Sequence, residues 1–506
     1  MPEFGETLDP RSWSAHLPPG IAADSVDLLE DRSLPGRWTR RWAARPAWPQ
    51  LQDLDGSWIS SEELEERTRL VAGWLIGAGL EAGDRFVLSA GTSAELVITY
   101  VGALRAGLVV VPLNTAYTRT EVERIVGDAR PAGAAVDDDA RAAWIREASP
   151  EALILLTGVD LGSGLLAAAD SSAQLDQAAT DDPALLVYTS GTTGTPKGAL
   201  LSHGNLLAGA TSVNLAWRWE PDDRLLLALP LFHVHGLGVG LNGSLCAGAA
   251  VVLRPKFDAD DVARRCREVS LFFGVPTIYH RLASSGNAPA LRSLRLFVSG
   301  SAPLPAALST EIAAAAGQVP LERYGMTETV MLTSNPYKGE RKPGTVGFPL
   351  PAVKVRLAES GEVEVRGPSV IAGYYQRPEA NAESFTDDGW FRTGDLGRFD
   401  HDGYLTLIGR SKELIITGGY NVYPREVEEV LGAHPGVREV AVVGRPSERW
   451  GEEVTAVVVA SAPLATDELR DHAARQLAPY KVPKRIEFAD ELPRNVMGKV
   501  VRGELR

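Results

Sequence analysis

The stretch Tyr188-Thr189-Ser190-Gly191-Thr192-Thr193-Gly194-Thr195-Pro196-Lys197-Gly198 is dense in glycines and hydroxyls and carries one ammonium. Glycines let a backbone turn its N–H groups toward an anion, and the hydroxyls with Lys197 add donors and one positive charge. Such a loop suits a polyphosphate. It is not the G-x-x-x-x-G-K-[ST] loop, because Lys197 stands between Pro196 and Gly198 and no hydroxyl follows it. It does not read G-x-G-x-x-G either. Taken alone, the same residues also make an ordinary surface turn.

Other charged groups sit in short, glycine-flanked segments. Glu328 closes Tyr324-Gly325-Met326-Thr327-Glu328, and Asp395 closes Thr393-Gly394-Asp395. Arg410 and Lys412 lie in Gly409-Arg410-Ser411-Lys412-Glu413, and Lys499 ends Pro493-Arg494-Asn495-Val496-Met497-Gly498-Lys499. By residue type alone Glu328 is equally a helix-capping residue, Asp395 a turn residue and Lys499 a solvated lysine.

Rigid elements must hold these groups. The apolar run Ala184-Leu185-Leu186-Val187 delivers the chain into the glycine-rich loop as a strand. Arg85–Ser89, a helical stretch from Ser93 to Ala106 and Leu108–Leu113 read as strand, helix, strand. The pattern recurs with Ala250–Leu253, a helix over Asp258 to Val269 and Leu271–Gly274. Such βαβ units imply an α/β fold with largely parallel, buried sheets. From about 341 to 410 the texture changes to short alternating strands, Val353–Leu357 and Glu362–Val365, which predict a small β-rich subdomain. Beyond Lys412 a fresh set begins: helix Pro424–Leu431, strands Glu439–Val443 and Val454–Ala460, and helix Thr466–Leu477. Roughly one hundred residues with their own apolar strands suffice for a separate α+β domain. The expected division is therefore a large N-terminal domain over 1–410 and a small C-terminal lid over 411–506.

The chain has 506 residues and a net charge of −14, which gives no electrostatic case for nucleic acid and leaves only local cationic pockets as anion sites. Two cysteines, Cys246 and Cys266, exclude a disulfide framework and, with no secretory signal or lipidation motif, point to a cytoplasmic protein. Residues 236–253 form a long uncharged run, yet five glycines argue against a membrane helix, and its last residues read as a turn into a buried strand.

In this order and spacing the quoted segments, with Gly418-Gly419-Tyr420-Asn421-Val422-Tyr423-Pro424, resemble the adenylate-forming superfamily of acyl-CoA synthetases, luciferases and adenylation domains, from about Ser57 to Arg502. The resemblance implies ATP and CoA as substrates and Mg²⁺ as the metal. It assigns Ser190, Gly191, Thr192, Thr193, Gly194 and Lys197 to the ATP phosphates, Thr189 to the α-phosphate and Glu328 to Mg²⁺. Adenine is expected between Gly300-Ser301-Ala302 and Tyr324-Gly325, with Asp395 and Arg410 at the ribose. Lys499 would stabilise charge during adenylation. The small domain would then turn about Lys412, so that Gly418, Gly419 and Tyr420 line the path of CoA.

Within the superfamily the resemblance is closest to malonyl-CoA synthetases, carried by Pro230-Leu231-Phe232-His233-Val234-His235-Gly236-Leu237, Gly274-Val275-Pro276-Thr277-Ile278-Tyr279-His280-Arg281-Leu282 and Arg323-Tyr324-Gly325-Met326-Thr327-Glu328-Thr329. A small dicarboxylate needs a cation for its second carboxylate, and the planar fork of Arg281 is the candidate, with His235, Ser301, Met326 and Thr327 completing a short pocket. Arg281 is otherwise a surface arginine at a helix end, and His235 a hydrogen-bonded core histidine. Methylmalonate and medium-chain fatty acids remain alternative acids. A module loading a carrier protein and a non-catalytic nucleotide binder are the alternatives of another class. No role emerges for the Trp-, Arg- and Pro-rich segment before about Leu51.

Overall fold

The computed structural model describes residues 13–156, 174–189, 196–495 and 499–506. Six strands form one sheet in the order Leu153–Leu156, Gly133–Val136, Arg85–Ser89, Val109–Pro112, Pro183–Thr189 and Lys197–Ser202. All neighbours are parallel except the last pair, an antiparallel pair flanking the glycine-rich loop. A nine-stranded sheet has a parallel centre, Leu321–Tyr324, Leu296–Ser299, Leu271–Gly274, Arg224–Leu227, Ala250–Leu253 and Pro49–Gln52. Short antiparallel strands close both edges. Runs such as Val109-Val110-Val111 are buried throughout, as strands covered on both faces must be.

The helix Ala94–Arg105 is buried along nearly its whole surface, as expected of a helix enclosed within a core. Ser93 caps it by accepting from the Leu96 amide at 3.2 Å, so the expected span holds with Ser93 as cap. The helix expected over 258–269 is shorter, Ala259–Arg265, because Asp258 caps it and Cys266 ends it. The uncharged run 236–253 folds as π-helical His235–Leu241, a helix Asn242–Ala247, a left-handed Gly248 at φ 73° and the strand Ala250–Leu253. Among the described residues no helix is long and apolar enough to cross a membrane.

Four antiparallel strands, Lys354–Leu357, Glu362–Arg366, Phe391–Phe399 and Leu405–Arg410, make the small β-rich unit. The C-terminal α+β domain packs the helices Pro424–Gly432 and Thr466–Ala474 on a sheet built around Val437–Ser447 and Gly451–Ala460. It has its own apolar cluster, with Val427, Leu431, Val442, Val458 and Leu469 fully buried.

The helix-bearing part of the segment before Leu51 joins the large core through Leu34, Trp38 and Trp42. Ser33 caps the helix Leu34–Ala44, whose Trp38 stacks on Trp42 at 6.5 Å between ring centres and meets Tyr100 at 6.2 Å. Arg37 and Arg41 both donate through Nε to the Cys246 carbonyl at 3.2 Å. Its role is structural: it covers apolar surface that the rest of the body leaves open. Trp38 is 0% exposed, and Trp38→Ala is expected to cost about 3–5 kcal/mol, read as a lower urea midpoint with an unchanged slope.

Candidate active site

The parallel strands Leu271–Gly274, Leu296–Ser299 and Leu321–Tyr324 run in one direction. Their carboxyl ends therefore deliver Gly274-Val275-Pro276, Gly300-Ser301-Ala302 and Gly325-Met326-Thr327-Glu328 to the same edge, where ligands of such sheets bind. Side chains alternate along a strand, so Tyr324 and Arg323 project to opposite faces.

Tyr324 reaches the neighbouring β-rich unit. Its Oη donates to Asp395 Oδ2 at 2.5 Å, and Arg410 Nε lies 3.0 Å from Asp395 Oδ1. Antiparallel register sets Asp395 directly opposite Arg410, which makes the ion pair a consequence of strand pairing. Burial together with Asp395 pushes the Tyr324 phenol well above its ordinary value, so it keeps its proton and donates. The facing Asp395 raises Arg410, which stays charged. A fixed, buried carboxylate at this edge is an acceptor for hydroxyl groups.

Glu328 lies in the turn Thr327–Thr329 and is buried, accepting from Tyr374 Oη at 2.8 Å. Tyr374 also pairs by a backbone bridge with Ala199, and Lys197 Nζ stands 5.4 Å from its ring centre. Tyr374 thus stands between Lys197 and the Glu328 carboxylate. Sequence reading passed over it, since a tyrosine in Gly373-Tyr374-Tyr375 carries no local signal. Thr189 pairs with Lys197 at the base of the loop; Ser190, Gly191, Thr192, Thr193 and Gly194 lie outside the described residues. Burial raises Glu328 above the ordinary carboxylate range, so a nearby cation would favour its ionised form. Among the described residues no group of three or more His, Cys, Asp or Glu side chains stands ready for a metal. One hard carboxylate oxygen completed by phosphate and water suits Mg²⁺, and the donor set fits that ion.

His235 begins the π-helical turn, with Nδ1 3.0 Å from Ser301 Oγ and its ring stacked on Phe273. Ser301 holds a left-handed φ of 69°, an uncommon conformation for a residue with a side chain. His235 is therefore the hydrogen-bonded core histidine and a neighbour of Ser301 at once. Met326 and Thr327 are half-buried beside it in sequence order on the same strand edge. Arg281 is not gathered with them: it is exposed, with its guanidinium 4.8 Å over the Phe257 ring. Two groups given no role in the sequence, the half-buried His233 and the buried Arg323, do lie in this region. Burial first, then the charge of Arg323, lowers both His233, to about 4, and His235.

Lys499 is tied to Asn495 by two reciprocal hydrogen bonds. Its amide donates to Asn495 Oδ1 at 3.0 Å, and the Asn495 amide donates to the Lys499 carbonyl at 2.9 Å. Its ammonium keeps solvent access yet stands in a crowded cleft, where burial and Arg410 lower its pKa while Glu413 and Asp395 oppose them. Its charge also reaches His233. Lys412 lies in the connecting turn Ser411–Glu413, and Glu413 pairs with Arg502 at 3.1 Å. Gly418 and Gly419, at φ 57° and 82°, form the two-residue turn of a hairpin, a left-handed pair that favours glycine. Beside it Tyr420 is 58% exposed and stacks on Tyr480 at 4.6 Å.

The similarities of sequence and fold make this chain an acid–CoA ligase of the adenylate-forming superfamily. The AMP-binding enzyme family model matches residues 38–375, the model of the AMP-binding enzyme C-terminal domain matches 426–499, and the chain belongs to this family. It is 37% identical over 478 residues to a malonate–CoA ligase of Arabidopsis thaliana, covering 85% of this chain and 79% of that one. It is 36% identical over 490 residues to a feruloyl-CoA synthase of an Amycolatopsis species, covering 93% and 98%. The crystal structure of ATP-bound MatB from Rhodopseudomonas palustris superposes with a TM-score of 0.89 at 40% identity, over 94% of this chain and 98% of that one.

A raised Glu328 means that the native state holds its proton to higher pH than the unfolded chain. Ionising it therefore costs stability as pH rises from the unfolded value of 4.5 toward the folded one. Glu328→Gln keeps an acceptor for Tyr374 and removes that cost. Urea unfolding without ligands should show the variant more stable than the parent at pH 7, with the difference fading as the pH is brought below about 4.5.

Proposed function

We propose that this chain activates a short dicarboxylic acid, malonate first, and transfers it to CoA. Malonate attacks the α-phosphorus of ATP, giving malonyl-AMP and pyrophosphate, and the CoA thiol then displaces AMP to give malonyl-CoA. The single observation that carries the reading is the convergence of Asp395, Arg410 and Lys499 on one cleft that also contains the Ser301–His235 pair. Names among similar proteins support a small acid with a second anionic group: malonate–CoA ligase, sulfoacetate–CoA ligase and oxalate–CoA ligase.

Both reactants are anionic, so positioning and charge neutralisation supply most of the rate. Asp395 accepts the ribose hydroxyls, held by Tyr324 and Arg410. Gly300, Ser301, Ala302, Gly325 and the face of Tyr324 border the adenine. Lys197 and the loop Ser190–Gly194 hold the β- and γ-phosphates, with Thr189 beside the α-phosphate. Glu328 would hold Mg²⁺, which supplies charge neutralisation on the phosphates. Lys499 neutralises the charge that develops between carboxylate and α-phosphate, and a lowered pKa marks an ammonium that gains from that charge. The lid, 411–506, then turns on the body, 1–410, about Lys412. Its Gly418-Gly419-Tyr420 hairpin replaces Lys499, and backbone without side chains admits the narrow pantetheine arm.

An AMP-release assay across malonate, methylmalonate, acetate, butyrate and octanoate tests the acid. Malonate should give the highest kcat/KM, and faster turnover of octanoate would overturn the dicarboxylate reading. Replacing CoA with a carrier protein as acceptor should slow thioester formation; a carrier used faster than CoA would make the chain a loading module. Lys499→Ala should lose adenylation by about 100-fold or more, the scale of one removed electrostatic stabiliser, and still pass a preformed acyl adenylate to CoA. Equal loss of both half-reactions would exclude the two-position lid.

A further inference from the structure

We propose that Asp128 is a positioning residue for ATP: it ties the stem of the glycine-rich loop to the chain segment that holds Glu328, and so sets the separation of Lys197 from that carboxylate. The inference rests on the reading of Lys197 as a partner of the phosphates and of Glu328 as the metal ligand. It adds a residue that touches neither ligand.

Asp128 stands in the last turn of the helix Arg119–Ala129, which carries no other residue of the site. A carboxylate there meets the negative end of the helix dipole, an unfavourable place for it. Two donors from distant parts of the chain offset that cost. Tyr188 Oη donates to Asp128 Oδ2 at 2.7 Å, across 60 residues, and Arg377 Nη2 donates to Oδ1 at 2.6 Å, across 249. Hydrogen bonds to a carboxylate are short and strong, and each oxygen here serves a different segment. Burial first, and then Asp128, raise the Tyr188 phenol, so it keeps its proton and donates.

These two segments frame the phosphate end of the site. Tyr188 immediately precedes Thr189 in the strand Pro183–Thr189, and its ring lies against Gly198, where a Cβ would stand 3.3 Å from the ring's Cζ. Strand register pairs Tyr188 with Gly198 and Thr189 with Lys197, so a displacement of Tyr188 reaches both ends of the loop. Arg377 belongs to the run Tyr374-Tyr375-Gln376-Arg377. Along this run the Tyr374 hydroxyl donates to Glu328 at 2.8 Å, and the Tyr375 amide donates to the Gly198 carbonyl at 2.8 Å. Backbone contacts thus join the run to the loop stem, and Asp128 adds a second tie through side chains. A surface cavity of about 290 Å³ opens beside that tie, bordered by Asp128, Tyr188, Pro196 and Arg377. Packing leaves this side of the stem open, and the two hydrogen bonds to Asp128 span it. A misplacement of about 1 Å at a reacting group costs on the order of 100-fold in rate, so a tie at this place has leverage on the phosphates.

The test measures the KM for ATP, and the rate at which a preformed acyl adenylate passes to CoA, using the acid that the AMP-release assay ranks first. The proteins are the parent, Asp128→Ala, Tyr188→Phe, the double variant and Lys197→Ala. Asp128→Ala should raise the KM for ATP by about tenfold and leave transfer from the preformed adenylate within about twofold of the parent. Tyr188→Phe, which loses a hydroxyl and keeps the ring, should raise the KM for ATP by about threefold and carries the test if the alanine variant does not fold. Because the two groups form one tie, the double variant should fall within about twofold of Asp128→Ala alone. With Lys197→Ala raising the KM for ATP, three results would overturn the proposal and leave the loop reading intact: an unchanged KM for ATP in Asp128→Ala or Tyr188→Phe, an equal loss in both half-reactions, or effects that multiply in the double variant. An unchanged KM for ATP in Lys197→Ala would overturn the loop reading and the proposal with it.

Discussion

The Asp395 carboxylate joins three parts of the molecule. It sits on the β-rich unit, accepts a hydrogen bond from Tyr324 at the end of the large sheet, and pairs with Arg410, the last strand residue before the turn that leads into the C-terminal domain. Removing any of the three would leave a buried charge or donor unmatched, and the Tyr324 phenol and the Arg410 guanidinium are both raised toward the protonated forms that keep the contact. The site depends on this joint because the Lys499 ammonium comes from a separately cored domain and finds its place in the same field of charges.

The net charge of −14 is spread over the surface, and the working charges are a few cations turned inward. Lys197 faces the Tyr374 ring, Arg410 is neutralised by Asp395, and Lys499 is balanced by Asp395 and Glu413. Glu328 is a buried group whose charged form lacks full compensation in the protein alone. Such a group lowers the stability of the empty enzyme and strengthens its interaction with a ligand of opposite charge, the usual exchange of stability for activity at a binding site.

Much of the fold was legible because the signals were local. Apolar runs of four or five residues marked the buried strands, capping residues such as Ser93 and Asp258 marked helix starts, and the paired glycines 418 and 419 marked a tight hairpin. Asp395, Arg410 and Lys499 stood in recognisable segments, and the structure gathers them. Tyr374, His233 and Arg323 were not legible. Each takes its surroundings from residues far away in sequence: Tyr374 meets Glu328 across 46 residues, and Arg323 lies against Gly300. The first fifty residues were equally silent, since Trp38 and Trp42 reveal their purpose only when packed on Tyr100 and each other.

By itself the sequence determined the order of strands and helices, the two-part α/β plan, the scarcity of thiols and the loop chemistry suited to a polyphosphate. Those properties follow from periodicity, turn residues and composition, which act over a few neighbouring residues. Only the tertiary structure decided which cation is dry. Arg281 and Arg323 are both arginines in motif-bearing segments, yet a helix carries one into solvent over Phe257 and a central strand carries the other into the body against Gly300. The strength of an arginine's charge is set by the dielectric around it, which is not a property of its neighbours in the chain.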